Sequence, residues 1–201
     1  MSNWIATTIL LVRRGGTTCM AADGQVTNAA SHTVFKTNAA KLKRADKGRV
    51  LVGFAGGGAD ALALFSRFER KLEQYQSNFE RAVIELAMDW RTDRVLRQLE
   101  AQMIVTSRDR SFLVMGNGDL LEPDEDGLLA IGSGANFALA AARALLRHTD
   151  FEARRIAEEA MRIAAELCVY TNERITYEEL EAQPQQAATG QPALSANPGQ
   201  P

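Results

Sequence analysis

The chain has 201 residues, 46% of them hydrophobic and 24% charged, with a formal net charge of −2. That length can bury one sizeable core, no apolar run reaches the roughly 18 residues of a membrane span, and the basic excess that marks nucleic-acid or membrane-surface binders is missing. Two cysteines, Cys19 and Cys168, cannot build a disulfide framework, and residues 1–6 lack the features of a secretory signal, so a cytoplasmic protein is expected.

Residues 7–12 are β-branched and apolar and predict a strand, with a turn at Arg13-Arg14-Gly15-Gly16 and a returning strand over 17–22. Asp23-Gly24 is a turn signal. The unbroken apolar run 49–55 has strand length and predicts a central place in a sheet. A helix is expected from Gly56-Gly57-Gly58 to about Gln74, with Leu62, Phe65, Phe68, Glu69 and Leu72 near helical spacing. Ser77-x-x-Glu80 has the form of a capping box, and Val83, Leu86, Ala87, Trp90 and Arg94 then share one mostly apolar face. Strands follow over 101–105 and 111–115, a hairpin-type turn at Gly116-Asn117-Gly118-Asp119, and a short strand 128–131 that ends in Gly132-Ser133-Gly134. An alanine-rich helix over about 136–146 precedes another opened by Thr149-x-x-Glu152, which carries Ile156, Ala160, Ile163, Ala164 and Leu167 on one stripe. This order predicts an α+β fold, mostly antiparallel sheet with helices in separate layers. Residues 182–201 carry no charge and are rich in Gln, Ala, Pro, Gly and Ser, which predicts a disordered tail.

Elimination narrows the chemistry. His32 and His148 share no zinc-ligand spacing with the cysteines. There is no GxxxxGK[ST] phosphate loop, and Gly132-Ser133-Gly134 is only part of a GxSxG elbow. A threonine hydroxyl is a weak nucleophile without a base. With no His–Asp partner, its own free α-amine can serve, since that group titrates near 7.7–8.0 and a neighbouring ammonium lowers it further. This chemistry needs a threonine made N-terminal by processing, a buried lysine and an acid to hold the lysine. Thr7, Lys41 and Asp23 have the right types. Taken singly, each also has an ordinary reading. Thr-Thr suits any strand, Asp-Gly any turn, Lys41 with Lys43 and Arg44 any solvated face, and Ser133 any helix N-cap.

The motifs taken together say more. Thr7-Thr8-Ile9-x-x-Val12-Arg13-Arg14, Ala22-Asp23-Gly24-Gln25-x-Thr27, Lys36-x-Asn38-x-x-Lys41 and Gly53-Phe54-Ala55-Gly56-Gly57-x-Ala59-Asp60 stand in order. Phe68-Glu69-x-Lys71-Leu72-Glu73, Asp89-Trp90-Arg91-Thr92-Asp93-Arg94, Ala130-Ile131-Gly132-Ser133-Gly134 and Tyr170-Thr171-Asn172 follow them. Over about 7–180 the chain resembles the proteolytic subunits of bacterial two-component proteases of the HslUV type, relatives of proteasome β-subunits. The resemblance implies a four-layer αββα sandwich of the N-terminal-nucleophile hydrolase type, and a division into propeptide 1–6, protease domain 7–181 and tail 182–201. It implies a threonine-type endopeptidase that assembles as a homo-dodecamer of two stacked hexameric rings. A hexameric ATPase, HslU, would hydrolyse the ATP and feed in unfolded protein substrates. No nucleotide, nucleic acid or membrane would bind this chain.

The same resemblance implies the residue roles. Thr7 is the expected nucleophile with its α-amine as base. Lys41 tunes that amine, Asp23 orients Lys41, Ser133 joins the hydrogen bonds around the amine, and the Gly53 N–H stabilises the oxyanion. A sodium ion is expected on backbone carbonyls at Ala165, Cys168 and Thr171. The chain departs from the pattern in three places. Residues 1–6 precede Thr7 where many such subunits have only an initiator methionine, so the Ala6–Thr7 bond has to be cut. Residues 28–35 form a slightly longer segment than usual, and Ala165 stands where glycine is common. An inactive scaffold ring that keeps residues 1–6, and a stand-alone amidase of the same fold, are the competing readings. The joint presence of Thr7, Asp23, Lys41 and Ser133 favours the protease.

Overall fold

The computed structural model describes residues 4–5, 7–28, 30–94, 96, 99 and 101–181. The expected tail 182–201 lies outside the described residues, as does the expected propeptide apart from the backbone of Trp4 and Ile5. In chain order the elements are β1 (Trp4–Ile5), β2 (Thr8–Arg14), β3 (Thr17–Asp23), β4 (Val26–Asn28), β5 (Thr33–Lys36), β6 (Leu42–Ala45) and, after a 3₁₀ turn at Asp46–Gly48, β7 (Val50–Gly56). Then come α1 (Gly58–Gln74), α2 (Phe79–Thr92), β8 (Ala101–Thr106), β9 (Ser111–Met115), β10 (Leu120–Leu121), β11 (Leu128–Gly132), α3 (Ala135–His148), α4 (Ala153–Leu167) and β12 (Ile175–Glu181).

Side-chain alternation along the strands builds the layers, because successive residues face opposite sides of a sheet. In β2, Leu10 and Val12 pack with α3 and α4, while Ile9 and Leu11 face the other way. In β3, Cys19 and Ala21 take the helix side and Met20 and Ala22 the opposite one. In β7, Val50, Val52 and Phe54 meet α1 and α2, and Leu51 and Ala55 turn inward. Two antiparallel sheets, β11-β2-β3-β12 and β10-β9-β8-β7-β6, therefore press together around Ile9, Leu11, Met20, Leu51 and Ile104, with a helix pair over each outer face. This is the expected αββα sandwich. A third sheet, β1-β4-β5, stands beside it.

Helix ends differ from the sequence reading. Asn78, not Ser77, caps α2: its side chain accepts the Arg81 N–H at 3.1 Å. Ser77 instead has φ +62° and donates its hydroxyl to Asp46 Oδ1 at 2.7 Å. Thr149 ends α3, donating to the Leu145 carbonyl at 2.7 Å, and α4 starts after Glu152. On α1, Leu62 is 56% exposed and Leu64 takes the core position. Strands β4, β5, β6 and β12 have no counterpart in the sequence reading. Strand β6 is an edge with Lys43 and Arg44 exposed, so its basic residues read as surface. Strand β12 pairs with β3 along its whole length, from Ile175 opposite Asp23 to Glu181 opposite Thr17.

The topology brings several strand ends to one edge of the sandwich. Ile9 of β2 lies opposite Ala22 of β3, and Gly132 of β11 opposite Thr8. Thr7, Asp23, Gly132 and Ile175 are thereby neighbours although their sequence positions span the chain. Among the described residues no helix is long and apolar enough to cross a membrane.

Candidate active site

Asp23 ends β3 with its side chain fully buried. Its Oδ1 accepts Lys41 Nζ and the Thr8 N–H, each at 2.7 Å. Its Oδ2 accepts the N–H of Gln25 at 2.9 Å and of Asn172 at 3.3 Å. These donors occupy the carboxylate's acceptor directions and leave it little freedom to turn. Lys41, just before β6, is 8% exposed. Burial pushes its ammonium below the usual 10.5, while the charge and hydrogen bond of Asp23 act in the opposite direction. Lys41 Nζ and the Thr8 N–H share one Asp23 oxygen, so the ammonium stands beside the Thr7–Thr8 peptide.

Thr7 is 7% exposed, and its carbonyl accepts the Ser133 N–H at 2.8 Å. The turn that reaches it requires glycine. Gly132 has φ +91°, and a Cβ there would fall 1.9 Å from the Thr7 oxygen. Ser133 is exposed at the mouth of this turn. The structure thus gathers Thr7, Asp23, Lys41 and Ser133, and Thr171 as well, whose Oγ1 lies 2.6 Å from Thr8 Oγ1.

Gly53 is a correction. It sits inside β7, paired with Leu42 on one side and Ile104 on the other. The next residue, Phe54, sends its N–H to the Lys41 carbonyl on the β6 side, at 3.2 Å. Alternation therefore directs the Gly53 N–H into the ladder with β8, where it already has a partner and cannot receive an oxyanion. Its missing side chain has a packing reason: a Cβ would lie 2.9 Å from Ile9 Cγ2 and Met20 Sδ between the sheets.

Cys168 and Thr171 are buried, and Ala165 lies in the last turn of α4. The Cys168 carbonyl accepts the Thr171 N–H at 3.0 Å, and the Val169 carbonyl accepts Gln25 Nε2 at 2.9 Å. Sequence reasoning quoted Gln25 and Asn172 within motifs but gave them no role. Both knit this loop to the end of β3: Asn172 Oδ1 accepts the Gly24 N–H at 3.2 Å and its Nδ2 donates to the Thr37 carbonyl at 3.0 Å. Thr8 was missed in the same way. Cys19 is no competing nucleophile, since burial first of all pushes its thiol up to about 12. His32 and His148 are exposed and outside this cluster.

The ammonium held on the Asp23 carboxylate, both groups buried, places a positive charge beside the start of β2. The chain resembles known proteins over most of its length. The family model for proteasome subunits matches residues 5–180. The "ATP-dependent protease subunit HslV" of Pseudothermotoga lettingae is 54% identical over 177 residues, 88% of this chain and 99% of that protein. The protein of the same name from Syntrophobacter fumaroxidans is 54% identical over 174 residues, 87% and 96% of the two chains. Among solved structures, the eukaryotic HslV of Trypanosoma brucei matches with a TM-score of 0.82 and 45% identity, covering 87% of this chain and 99% of that one. The Thiobacillus denitrificans protein BPH, solved with epoxomicin, shares the fold at a TM-score of 0.62 and 20% identity.

Proposed function

Because the chain belongs to the proteasome-subunit family, among its HslV protease subunits, we propose that it is a threonine endopeptidase whose nucleophile is Thr7. The observation that carries this reading is the Lys41–Asp23–Thr8 junction, with both contacts at 2.7 Å on one carboxylate oxygen.

In a chain that starts at Thr7, the α-amine takes the proton of Thr7 Oγ as the oxygen attacks the scissile carbonyl. It then gives that proton to the departing amine, leaving an ester on Oγ. Water, deprotonated by the same amine, attacks the ester, and the amine returns that proton to Thr7 Oγ as the acid product leaves. Lys41 favours the neutral amine by charge repulsion, and Asp23 keeps Lys41 in place. The oxyanion donor belongs at the open end of β7 rather than at Gly53. Gly56 is exposed there, and its N–H has the parity that faces β6 and Lys41. Such a donor is worth about 2.7–4 kcal/mol.

Trp4 and Ile5 add antiparallel to β4, opposite Asn28 and Thr27. Cleavage at Ala6–Thr7, by Thr7 itself or by another protease, would free the Thr7 amine. The carbonyls of Ala165 and Cys168 lie at the C-terminal end of α4, where the dipole is negative, and that of Thr171 in the loop after it; neutral oxygens of this kind suit a hard monovalent cation such as sodium. Bound there, the cation would supply charge that stiffens the loop 168–172. The expected partners are a hexameric ATPase of the HslU kind and unfolded protein chains, on a dodecamer of two stacked rings.

The test is the intact mass of the purified protein with a peptidase assay of Thr7→Ala. A chain beginning at Thr7, active as wild type and inactive as Thr7→Ala in an assembly of unchanged size, is expected. Activity that survives Thr7→Ala overturns the mechanism. A chain that keeps residues 1–6 and cleaves nothing is the scaffold instead.

A further inference from the structure

Buried polar contacts from three separate segments meet on Thr8, a residue whose side chain the chemistry above does not use. Its side chain is fully buried. Its Oγ1 lies 2.6 Å from Thr171 Oγ1 and accepts the Gly134 N–H at 2.9 Å, while its own N–H donates to Asp23 Oδ1 at 2.7 Å. One hydroxyl can serve both side-chain contacts, since it has one proton to give and two lone pairs to receive. The space is closed as well. A Cβ on Gly134 would stand 2.4 Å from Thr8 Oγ1 and 2.6 Å from Thr171 Oγ1.

Packing does not explain a hydroxyl here. Valine would fill the same volume and suit the strand, at the cost of the bonds that the Gly134 N–H and Thr171 Oγ1 make to the hydroxyl. The contacts instead fix the orientation of one peptide unit, that between Thr7 and Thr8. Gly134 belongs to the turn whose Ser133 N–H holds the Thr7 carbonyl. Thr171 belongs to the loop whose Asn172 N–H holds Asp23. The Asp23 oxygen that takes the Thr8 N–H is also the one that holds Lys41.

We propose that Thr8 is the positioning residue of Thr7: its hydroxyl, anchored on Thr171 and Gly134, sets the rotation of the Thr7–Thr8 peptide and so aims Thr7 Oγ and the α-amine against Lys41. The proposal rests on the reading of Thr7 as nucleophile. Thr8 touches no substrate and acts only through Thr7. Thr171 acts through Thr8, which couples the loop after α4 to the reacting atoms.

The test uses Thr8→Val, Thr8→Ser, Thr171→Val and the double valine variant, each assayed on chains whose mass shows that they begin at Thr7. Thr8→Val is expected to lower kcat for a short peptide about 10- to 100-fold with KM within about 2-fold, the pattern of a misplaced reacting group. Thr8→Ser, which keeps the hydroxyl, returns kcat to within about 3-fold of wild type, and the double variant is no slower than Thr8→Val because both substitutions cut one contact. Melting temperatures are taken alongside. Unchanged kcat in Thr8→Val, with or without a lower melting temperature, overturns the proposal. So does a Thr8→Ser as slow as Thr8→Val, or losses that multiply in the double variant. If Thr8→Val does not fold, Thr171→Val against Thr8→Ser decides, since Thr171→Val leaves Thr8 bonded to Gly134. Thr7→Ala in the same assay keeps the two readings apart. Activity there sinks the nucleophile, whereas an inactive Thr7→Ala beside a fully active Thr8→Val sinks only the positioning role.

Discussion

In the proposed mechanism, Lys41 is the side chain whose titration decides the working pH. Its ammonium must be charged to lower the Thr7 amine, and the amine must be neutral to act as base. The profile of kcat/KM against pH is therefore expected to be a bell. Its acid limb is the amine, held below its ordinary 7.7–8.0 by the positive neighbour. Its alkaline limb is the loss of the Lys41 charge, below the ordinary lysine value of 10.5 because burial disfavours the ammonium more than Asp23 restores it. Lys41→Met removes the charge. The amine then returns upward, and the acid limb moves to higher pH by about one unit or more. The same change leaves the fully buried Asp23 without its ion-pair partner, at a cost of about 3–5 kcal/mol of stability. A Lys41→Met enzyme whose acid limb stays in place would mean that something else tunes the amine. At this scale the motifs single out Thr7, Asp23 and Lys41, and the fold brings the three together around one Asp23 oxygen. The sequence was a poor guide to Thr8 and Gly53. Whether a strand residue's N–H is free or paired is set by register with β6 and β8, and register is not written in the local residues.

The same contrast appears in whole elements. Strands β2, β3, β7 and β8 are buried on both faces between a helix layer and the other sheet, so they are continuous apolar runs that any reading finds. Strands β5, β6 and β12 lie at sheet edges with alternating or charged residues, as in Ile175–Glu181, and look like surface until their partners are known. Edge strand β12 matters most for the site, because its pairing with β3 brings Thr171 and Asn172 over Asp23. At the opposite end of β2, Arg13 fastens the sandwich. It donates to Thr106 Oγ1 at 3.1 Å, the Ser107 carbonyl at 2.9 Å and Ser111 Oγ at 3.0 Å, and also to the Arg108 carbonyl. These acceptors lie on β8, β9 and the turn between them, so one guanidinium ties the two sheets. Thr8 and Arg13 are about 17 Å apart along an extended strand. Arg13→Met, which keeps the aliphatic stem, is therefore expected to lower stability by about 1–3 kcal/mol and leave peptide kcat within about 2-fold in urea-free buffer. A loss of kcat without a loss of stability would show that the far end of β2 controls the site.

For the whole molecule, the apolar residues that stay outside the layers are the informative ones. Leu62 and Met88, on the α1 and α2 side, are 56% and 57% exposed, and Leu167 and Val169, at the end of α4, are 60% and 81% exposed. Single exposed apolar residues are ordinary, but here they lie on both helical faces of one small sandwich. A subunit with one such face can pair; a subunit with two can close a ring through one and stack rings through the other. The proposed dodecamer needs two such faces. In that proposal a separate ATPase unfolds substrates and admits them to the chamber. Light scattering coupled to gel filtration is expected to give a native mass close to twelve times the 22.0 kDa chain, less the leader if it has been removed. A monomer or dimer that still cleaves short peptides would leave the chemistry of Thr7 intact and overturn the chamber. The site would then be open to folded proteins, and the exposed residues on the two faces would need another partner to cover them.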